Sequence, residues 1–545
     1  MANVKFSRKE FEKSIKINDE IIERINMMGT PVESINEENI EIEVFPNRPD
    51  LLSMGGFIRA LQTFTGKNSG IKKYKINDSG KKLIVEKTIP KEWSRAYACM
   101  IKGIKFDEQK ILEIIQLQEK LGSTLLRERK KGGIGLYPQE MIEFPVRFVG
   151  MKPEEIIFRP LEYQEMINAK QIMIKHPTGR KYADITKGWE KLPVFVDAKN
   201  RIMSMPPIIN SHELGKITEE TKNVFLEVTG PASAEKVLKN ALVIMATALA
   251  EMGGTIHTIE CKQIEGKALK EPVMTPEIMK INKESAEKLL GVKISDKEMK
   301  KYLGMMGYDY DDKKKTVQIP SWRIDVMHEV DLIEDLAIAR GYENIEPVIP
   351  QIANIAEESK GWISERKISE MLAGLGMIET KTYHLVRKED YKKMGQKPEI
   401  LVEKSKTEYE ALRNNLTNNL FRVLSENVDA EYPQRIYELG TIFKKDNLGK
   451  TDTGIIEKKH LAIAITPGSY TQMKQALQYL TEMLGMNYEV KETKKKGLID
   501  GRTAEIIIKG KTVGIIGEAH PMTLKNWKLK MPAVVMEIDI EGMIN

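Results

Sequence analysis

The pattern of apolar and polar positions divides this chain into four stretches of different texture. Near the N-terminus, Phe11, Ile15, Ile21, Ile22 and Ile25 recur at roughly helical spacing and predict a helix ended by Gly29. Ile40 to Val44 (IEIEV) alternates apolar and acidic residues, as a half-buried strand does. Phe45 to Ser53 (FPNRPDLLS) carries two prolines that hold the backbone extended, and Leu51 to Phe64 then reads as a helix stopped by Gly66. From about Lys91 to Lys267 the pattern predicts helices over Glu108 to Lys120 and Ala232 to Met252, with short strands LPVFVD and NVFLEVTG. Between those strands lies MSMPPIINSHELGKIT, a Pro-rich and then polar connection of the kind that lines sites. Glu271 to Pro347 reads as two short helices, a strand (TVQIP) and a third helix, VDLIEDLAIARG. A small helical domain with a β-wing fits that order. The remainder predicts a helix over Trp362 to Leu375 and then the strands RIYELGTIF, HLAIAIT, AEIIIKG, TVGIIGE and AVVMEIDI of a single sheet.

Composition narrows the class without fixing the function. At 545 residues the chain exceeds what one hydrophobic core organises, and three to four domains are expected. A net charge of +6 arises from 85 basic and 79 acidic residues, which makes a mixed surface rather than a polycation. Two cysteines, Cys99 and Cys261, exclude a disulfide framework and a Cys-based zinc site, as expected in a reducing compartment. The N-terminal residues lack the apolar core of a signal peptide. The apolar run Ala241 to Ala250 is too short to span a bilayer and predicts a buried helix. A cytoplasmic protein with no membrane partner is the expectation.

Candidate chemistry concentrates in Ser321 to Tyr342, SWRIDVMHEVDLIEDLAIARGY. Asp331, Glu334 and Asp335 stand at i, i+3 and i+4 and so share one face of a helix, with Asp325 a loop upstream. An oxygen-only cluster favours Mg²⁺ or Ca²⁺ over zinc. The same residues also suit a helix start, where acidic side chains meet the positive end of the helix dipole. His328 within the segment reads as a surface or capping residue. No GxxxxGK[ST] phosphate loop occurs anywhere in the chain.

Four segments, taken in order, resemble the phenylalanyl-tRNA synthetase beta subunits of archaeal and eukaryotic type. They are VFPNRPDLLSMGGFIRAL, SMPPIINSHELGKITEETKNVFLEVTG, PSWRIDVMHEVDLIEDLAIARGYENI and GEAHPMTLKNW. The resemblance implies an α+β multidomain chain: an N-terminal mixed module (1–88), an editing domain (89–269), a winged-helix-like domain with the acidic cluster (270–350) and a class II synthetase-like core (351–545). That core would be an antiparallel sheet with helices, catalytically silent and facing the alpha subunit. Arg413, Arg422 and Arg435 occur in it, but no glycine-rich segment ending in a second arginine follows. ATP is therefore expected on an alpha subunit, in an α₂β₂ heterotetramer acting on phenylalanine tRNA.

The resemblance also implies site residues. Mg²⁺ would be held by Asp325, Asp331, Glu334 and Asp335. An editing pocket that hydrolyses tyrosyl-tRNA would draw on Ser204, Asn210, His212, Glu227 and Thr229. Such a pocket has a physical reason, since an apolar site rejects an added hydroxyl only about a hundredfold. A second site with a buried acceptor can select that hydroxyl instead, and Glu227, with Thr229 on the same strand face, is the matching acceptor. Two positions depart from the family pattern: Pro231-Ala232 stands where a Thr-Asp pair is expected, and Phe195 where a smaller aliphatic is expected. The alternative reading is a tRNA-binding or structural scaffold subunit whose editing site is degenerate.

Overall fold

Ten strands between Ile76 and Glu271 join in the largest sheet of the computed structural model. Nine follow one path: Ile209–Asn210, Ile202–Met205, Leu192–Val196, Val146–Met151, Ile76–Val85, Thr255–Lys262, Arg95–Lys102, Asn223–Gly230 and Gly133–Pro138. Leu269–Glu271 pairs off the path with Thr255–Lys262. The structure describes residues 2–403, 405 and 407–544. By contacts the chain divides into two units, Met1–Ile349 and Pro350–Asn545, and the large sheet lies in the first.

The helix Glu235–Glu251 packs on this sheet against Asn223–Gly230 and Arg95–Lys102. Every residue from Ala241 to Leu249 is buried, as the unbroken apolar run predicts, and the one polar member, Thr247, bonds back to Val243 O. Two expectations need correction. Ile76–Val85 belongs to the large sheet, parallel to Thr255–Lys262, so the first module does not extend to residue 88. Its sequence hides this, because only Leu83 and Val85 of INDSGKKLIV are buried. The continuous N-terminal helix is also absent. Residues Ala2–Ser7 form a strand on Asn39–Val44, and the helical residues split into Arg8–Glu12 and Asp19–Met27. Asn18 makes the break by accepting from the Ile21 amide and starting the second helix.

Glu277–Lys280, Thr316–Ile319 and Asp309–Asp311 form a three-stranded sheet, accompanied by helices Lys283–Leu290, Asp296–Met305 and Glu329–Arg340. The second unit is built on a seven-stranded sheet that contains all five strands expected from the sequence. Alternation covers it on both faces. Tyr437, Leu439, Leu461 and Ile463 pack under helices Lys360–Gly374 and Tyr470–Met483. Ile436, Ile442, Ala462 and Ala464 pack under Thr417–Glu426 and Trp527. The fold is therefore a mixed α+β, multi-sheet chain.

Candidate functional site

Two glycines open the site. Along Gly133–Pro138, positions 133, 135 and 137 share one face, and Gly133 and Gly135 stand directly opposite Thr229 and Glu227 on the neighbouring strand. A Cβ on Gly135 would collide with both Glu227 Oε1 and the Tyr137 hydroxyl, and one on Gly133 would crowd Pro207. Without those side chains, a cleft of about 570 Å³ remains between this edge strand, the helix Glu108–Ser123 and the Pro206–Gly215 segment. Its walls include Leu136, Pro207, Asn210, His212 and Glu227.

The polar groups converge on one phenol. The Tyr137 hydroxyl lies 2.7 Å from Ser204 Oγ, 3.2 Å from Glu227 Oε1 and 3.4 Å from Asn210 Oδ1. Asn210 also donates through Nδ2 to Leu136 O, which fixes its amide. Glu227 is 2% exposed, and burial pushes its carboxyl up to about 8, only partly offset by the Tyr137 hydrogen bond. Tyr137 is pushed well above the usual phenol range by burial and by the nearby Glu227. Three buried polar atoms here have no partner: Glu227 Oε2, Thr229 Oγ1 and His212 Nδ1. Leaving such atoms unpaired costs about 1–3 kcal/mol each, so a ligand or water that met them would be held by them.

A strained loop braces the other wall. Arg127, Glu128 and Arg129 all have positive φ (48°, 53° and 63°), a run that non-glycine residues rarely adopt. The turn aims Arg129 Nη1 at Pro207 O (2.8 Å) and Ile208 O (2.9 Å), and its guanidinium lies 4.2 Å from the Tyr182 ring centroid. The connection expected to be a loop is partly regular: Ile202–Met205 and Ile209–Asn210 are paired strands, and His212 begins the short helix His212–Gly215. All five editing residues named from the sequence thus gather near this cleft. Phe195 does not line it; the ring stacks on Phe148, 4.6 Å away, in the core. Sequence reasoning missed Tyr137, Gly133 and Gly135. Their signal was the alternating glycines of GGIGLYP, which mean little until the strand is paired.

The acidic cluster is arranged differently from the sequence expectation. Arg323 forks onto Asp325 (2.8 and 2.7 Å) and reaches Asp335 at 2.7 Å, while Tyr308 hydrogen-bonds the same Asp335 oxygen. Burial opposes ionisation of Asp325, but the charge and bonds of Arg323 outweigh it and hold its carboxyl below the usual range. Asp331 closes a capping box, accepting at 2.7 Å from the amides of Met327 and His328, and His328 is the N-cap. Glu334 faces outward. The four carboxylates share one segment but do not converge, and among the described residues no group of three His, Cys, Asp or Glu is placed to hold a metal. All the donors are oxygens suited to Mg²⁺, and Asp331 Oδ1, Asp335 Oδ1 and Glu334 carry no hydrogen bond within the described chain.

In the second unit, Arg413 is 2% exposed; its Nε donates to Thr441 O, and its Nη1 to Thr382 and to Glu438 Oε1, the last at 2.6 Å. Its Nε and Nη1 are thus committed inside the unit. Arg435 is exposed, and Arg422 reaches only toward Glu426 at 3.9 Å and lies over the Tyr409 ring.

Residues 279–342 match the tRNA synthetase B5 domain, and residues 345–540 match the phenylalanyl tRNA synthetase beta chain CLM domain. The phenylalanine–tRNA ligase beta subunit of Thermococcus sibiricus is 35% identical over 500 residues, covering 90% of this chain and 88% of that one. The one from Archaeoglobus fulgidus is 33% identical over 539 residues, covering 97% and 96%. The chain belongs to the phenylalanine–tRNA ligase beta subunit family. A crystal structure of an N-terminal fragment of the Pyrococcus horikoshii phenylalanyl-tRNA synthetase beta subunit superposes with a TM-score of 0.60 at 29% identity, covering 63% of this chain and all of the fragment. Within this member of the family, no helix among the described residues is long and apolar enough to cross a membrane.

Proposed function

We propose that the chain acts as the beta subunit of a phenylalanine–tRNA ligase. With an alpha subunit, as an α₂β₂ heterotetramer in the cytoplasm, it joins phenylalanine to its tRNA at the expense of ATP. The observation that carries this reading is the 35% identity over 90% of the chain to a protein of that name. The burial of Arg413, with Nε and Nη1 bonded within the unit, supports an alpha subunit as the holder of ATP. The second unit serves as a class II-like, catalytically silent core, and the Glu277–Arg340 region as a winged-helix-like domain.

The cleft over Gly135 serves in this reading as an editing site within a domain that takes in Ile76–Val85 as well as residues 89–269. A tyrosine wrongly esterified to the tRNA enters ring first, and its hydroxyl hydrogen-bonds Glu227 Oε2. Asn210 and His212 orient the ester and a water molecule. Water adds to the ester carbonyl carbon, the bond to the ribose oxygen breaks, and the proton from water ends on that oxygen. Free tyrosine and intact tRNA result. Asp325, Asp331, Glu334 and Asp335 would hold magnesium in the assembled protein, where the ion would supply positive charge to the acidic segment.

The test is attachment of phenylalanine to its tRNA by this chain alone and by the chain co-expressed with an alpha subunit. Activity is expected only in the pair. A stable, folded pair without activity would remove the synthetase reading.

A further inference from the structure

Tyr137 places a phenol oxygen in contact with the very groups that the editing reading assigns to a substrate phenol. Its hydroxyl touches Ser204, Asn210 and Glu227 Oε1, while Glu227 Oε2 is buried and unpartnered. The ring cannot move away easily, being fully buried and packed 5.7 Å from Phe225, its register partner across the ladder. A phenol has one proton to donate and two lone pairs to accept with, so Tyr137 can join Ser204 to Glu227 in one chain of hydrogen bonds. That chain fixes the carboxyl plane. It also commits Oε1 and leaves Oε2 as the one oxygen of the carboxyl open to a ligand.

We propose that Tyr137 is a positioning residue of the cleft, holding Glu227 so that Oε2 alone meets a phenolic ring and thereby setting the preference for tyrosyl over phenylalanyl esters. This rests on the editing reading. Gly135 is the structural condition for the arrangement, because any side chain there displaces the phenol and the carboxyl together. A phenylalanyl ester makes no bond to Oε2, so its hydrolysis does not depend on how the carboxyl is turned. Selection by a positioned hydrogen bond discriminates strongly because the rejected substrate leaves a buried polar atom unpaired.

The experiment compares the assembled protein with its Tyr137→Phe and Glu227→Gln variants on tyrosyl-tRNA and phenylalanyl-tRNA of the phenylalanine acceptor. Tyr137→Phe should lower kcat/KM for the tyrosyl ester about tenfold or more and leave the phenylalanyl ester unchanged, in a protein whose circular dichroism shows that it keeps its fold. Glu227→Gln should lose the same discrimination. Equal loss on both esters would make Tyr137 a packing residue and overturn the proposal. A faster tyrosyl reaction would overturn it too, showing that the internal phenol competes with substrate. If wild type hydrolyses neither ester, the editing reading falls and takes this proposal with it. If wild type is active and Tyr137→Phe matches it, the proposal alone falls. Binding of free L-tyrosine against L-phenylalanine, by calorimetry on the same proteins, gives a second readout should turnover be slow.

Discussion

Glu227 sits where ionisation is costly, and that cost has a measurable sign. Burial raises its carboxyl to about 8 from an unperturbed 4.5. Between those values the folded chain holds a proton that the unfolded chain has released, so stability falls as pH rises. The favourable contribution is complete below about pH 4.5 and is lost as pH climbs through about 8. Glu227→Gln removes this titration while keeping a polar side chain of the same shape. The stability difference, variant minus wild type, should therefore grow between pH 5 and pH 9, by at most ~4 kcal/mol at about 1.4 kcal/mol per unit. Urea denaturation across that range checks it, and a difference independent of pH would place Glu227 in contact with solvent. At this scale the sequence is half legible. Once NVFLEVTG is read as a strand, the two-residue spacing alone sets Glu227 and Thr229 on one face of it. Tyr137 escapes such reasoning, because its meeting with Glu227 depends on strand register and on two glycines that pattern analysis treats as breakers.

For elements, the helix Glu329–Arg340 shows where spacing stops being informative. The i, i+3, i+4 rule does put Asp331, Glu334 and Asp335 on neighbouring positions, yet burial on both sides of the helix assigns them different work. Leu332, Ile333, Leu336 and Ala337 are all buried, so the helix has little solvent-facing surface to spare. Asp335 turns inward to Arg323 and Tyr308, Asp331 turns back over the N-terminus, and Glu334 alone points out. The dipole reading and the metal reading of these residues are compatible, since a cap uses one Asp331 oxygen and leaves the other. Asp331→Ala with Glu334→Ala should lower Mg²⁺ in the assembled α–β protein by about one ion per beta chain, read by elemental analysis after gel filtration. Unchanged magnesium would confine the acidic segment to capping and to the Arg323 network. The strand Ile76–Val85 escaped the sequence for a related reason. Its alternation is confined to two buried residues, and its identity as a strand comes from its parallel neighbours, which lie about 60 to 180 positions away.

For the whole molecule, each unit carries its own core and its own sheet, and the joint between them follows from composition. A large apolar core and a smaller one around Val149, Ile172 and Val194 fill the first unit, and separate clusters cover the two faces of the seven-stranded sheet in the second. Residues 346–359 belong to neither core: they have no helix or strand, and all of them are exposed. The segment is nonetheless apolar, with Val348 82% and Ile355 99% exposed. A protease must bind roughly ten residues in extended form, which a packed strand or helix resists and an unpaired segment permits. Thermolysin, which cuts before large apolar residues, should therefore nick the free chain first between residues 346 and 359. Two fragments should result, divided near the Ile349–Pro350 boundary, each keeping its far-ultraviolet circular dichroism and its own unfolding transition. Mass spectrometry of the earliest products decides the matter. A first cut inside either sheet, or collapse of one fragment on separation, would mean that the two cores fold as one cooperative body.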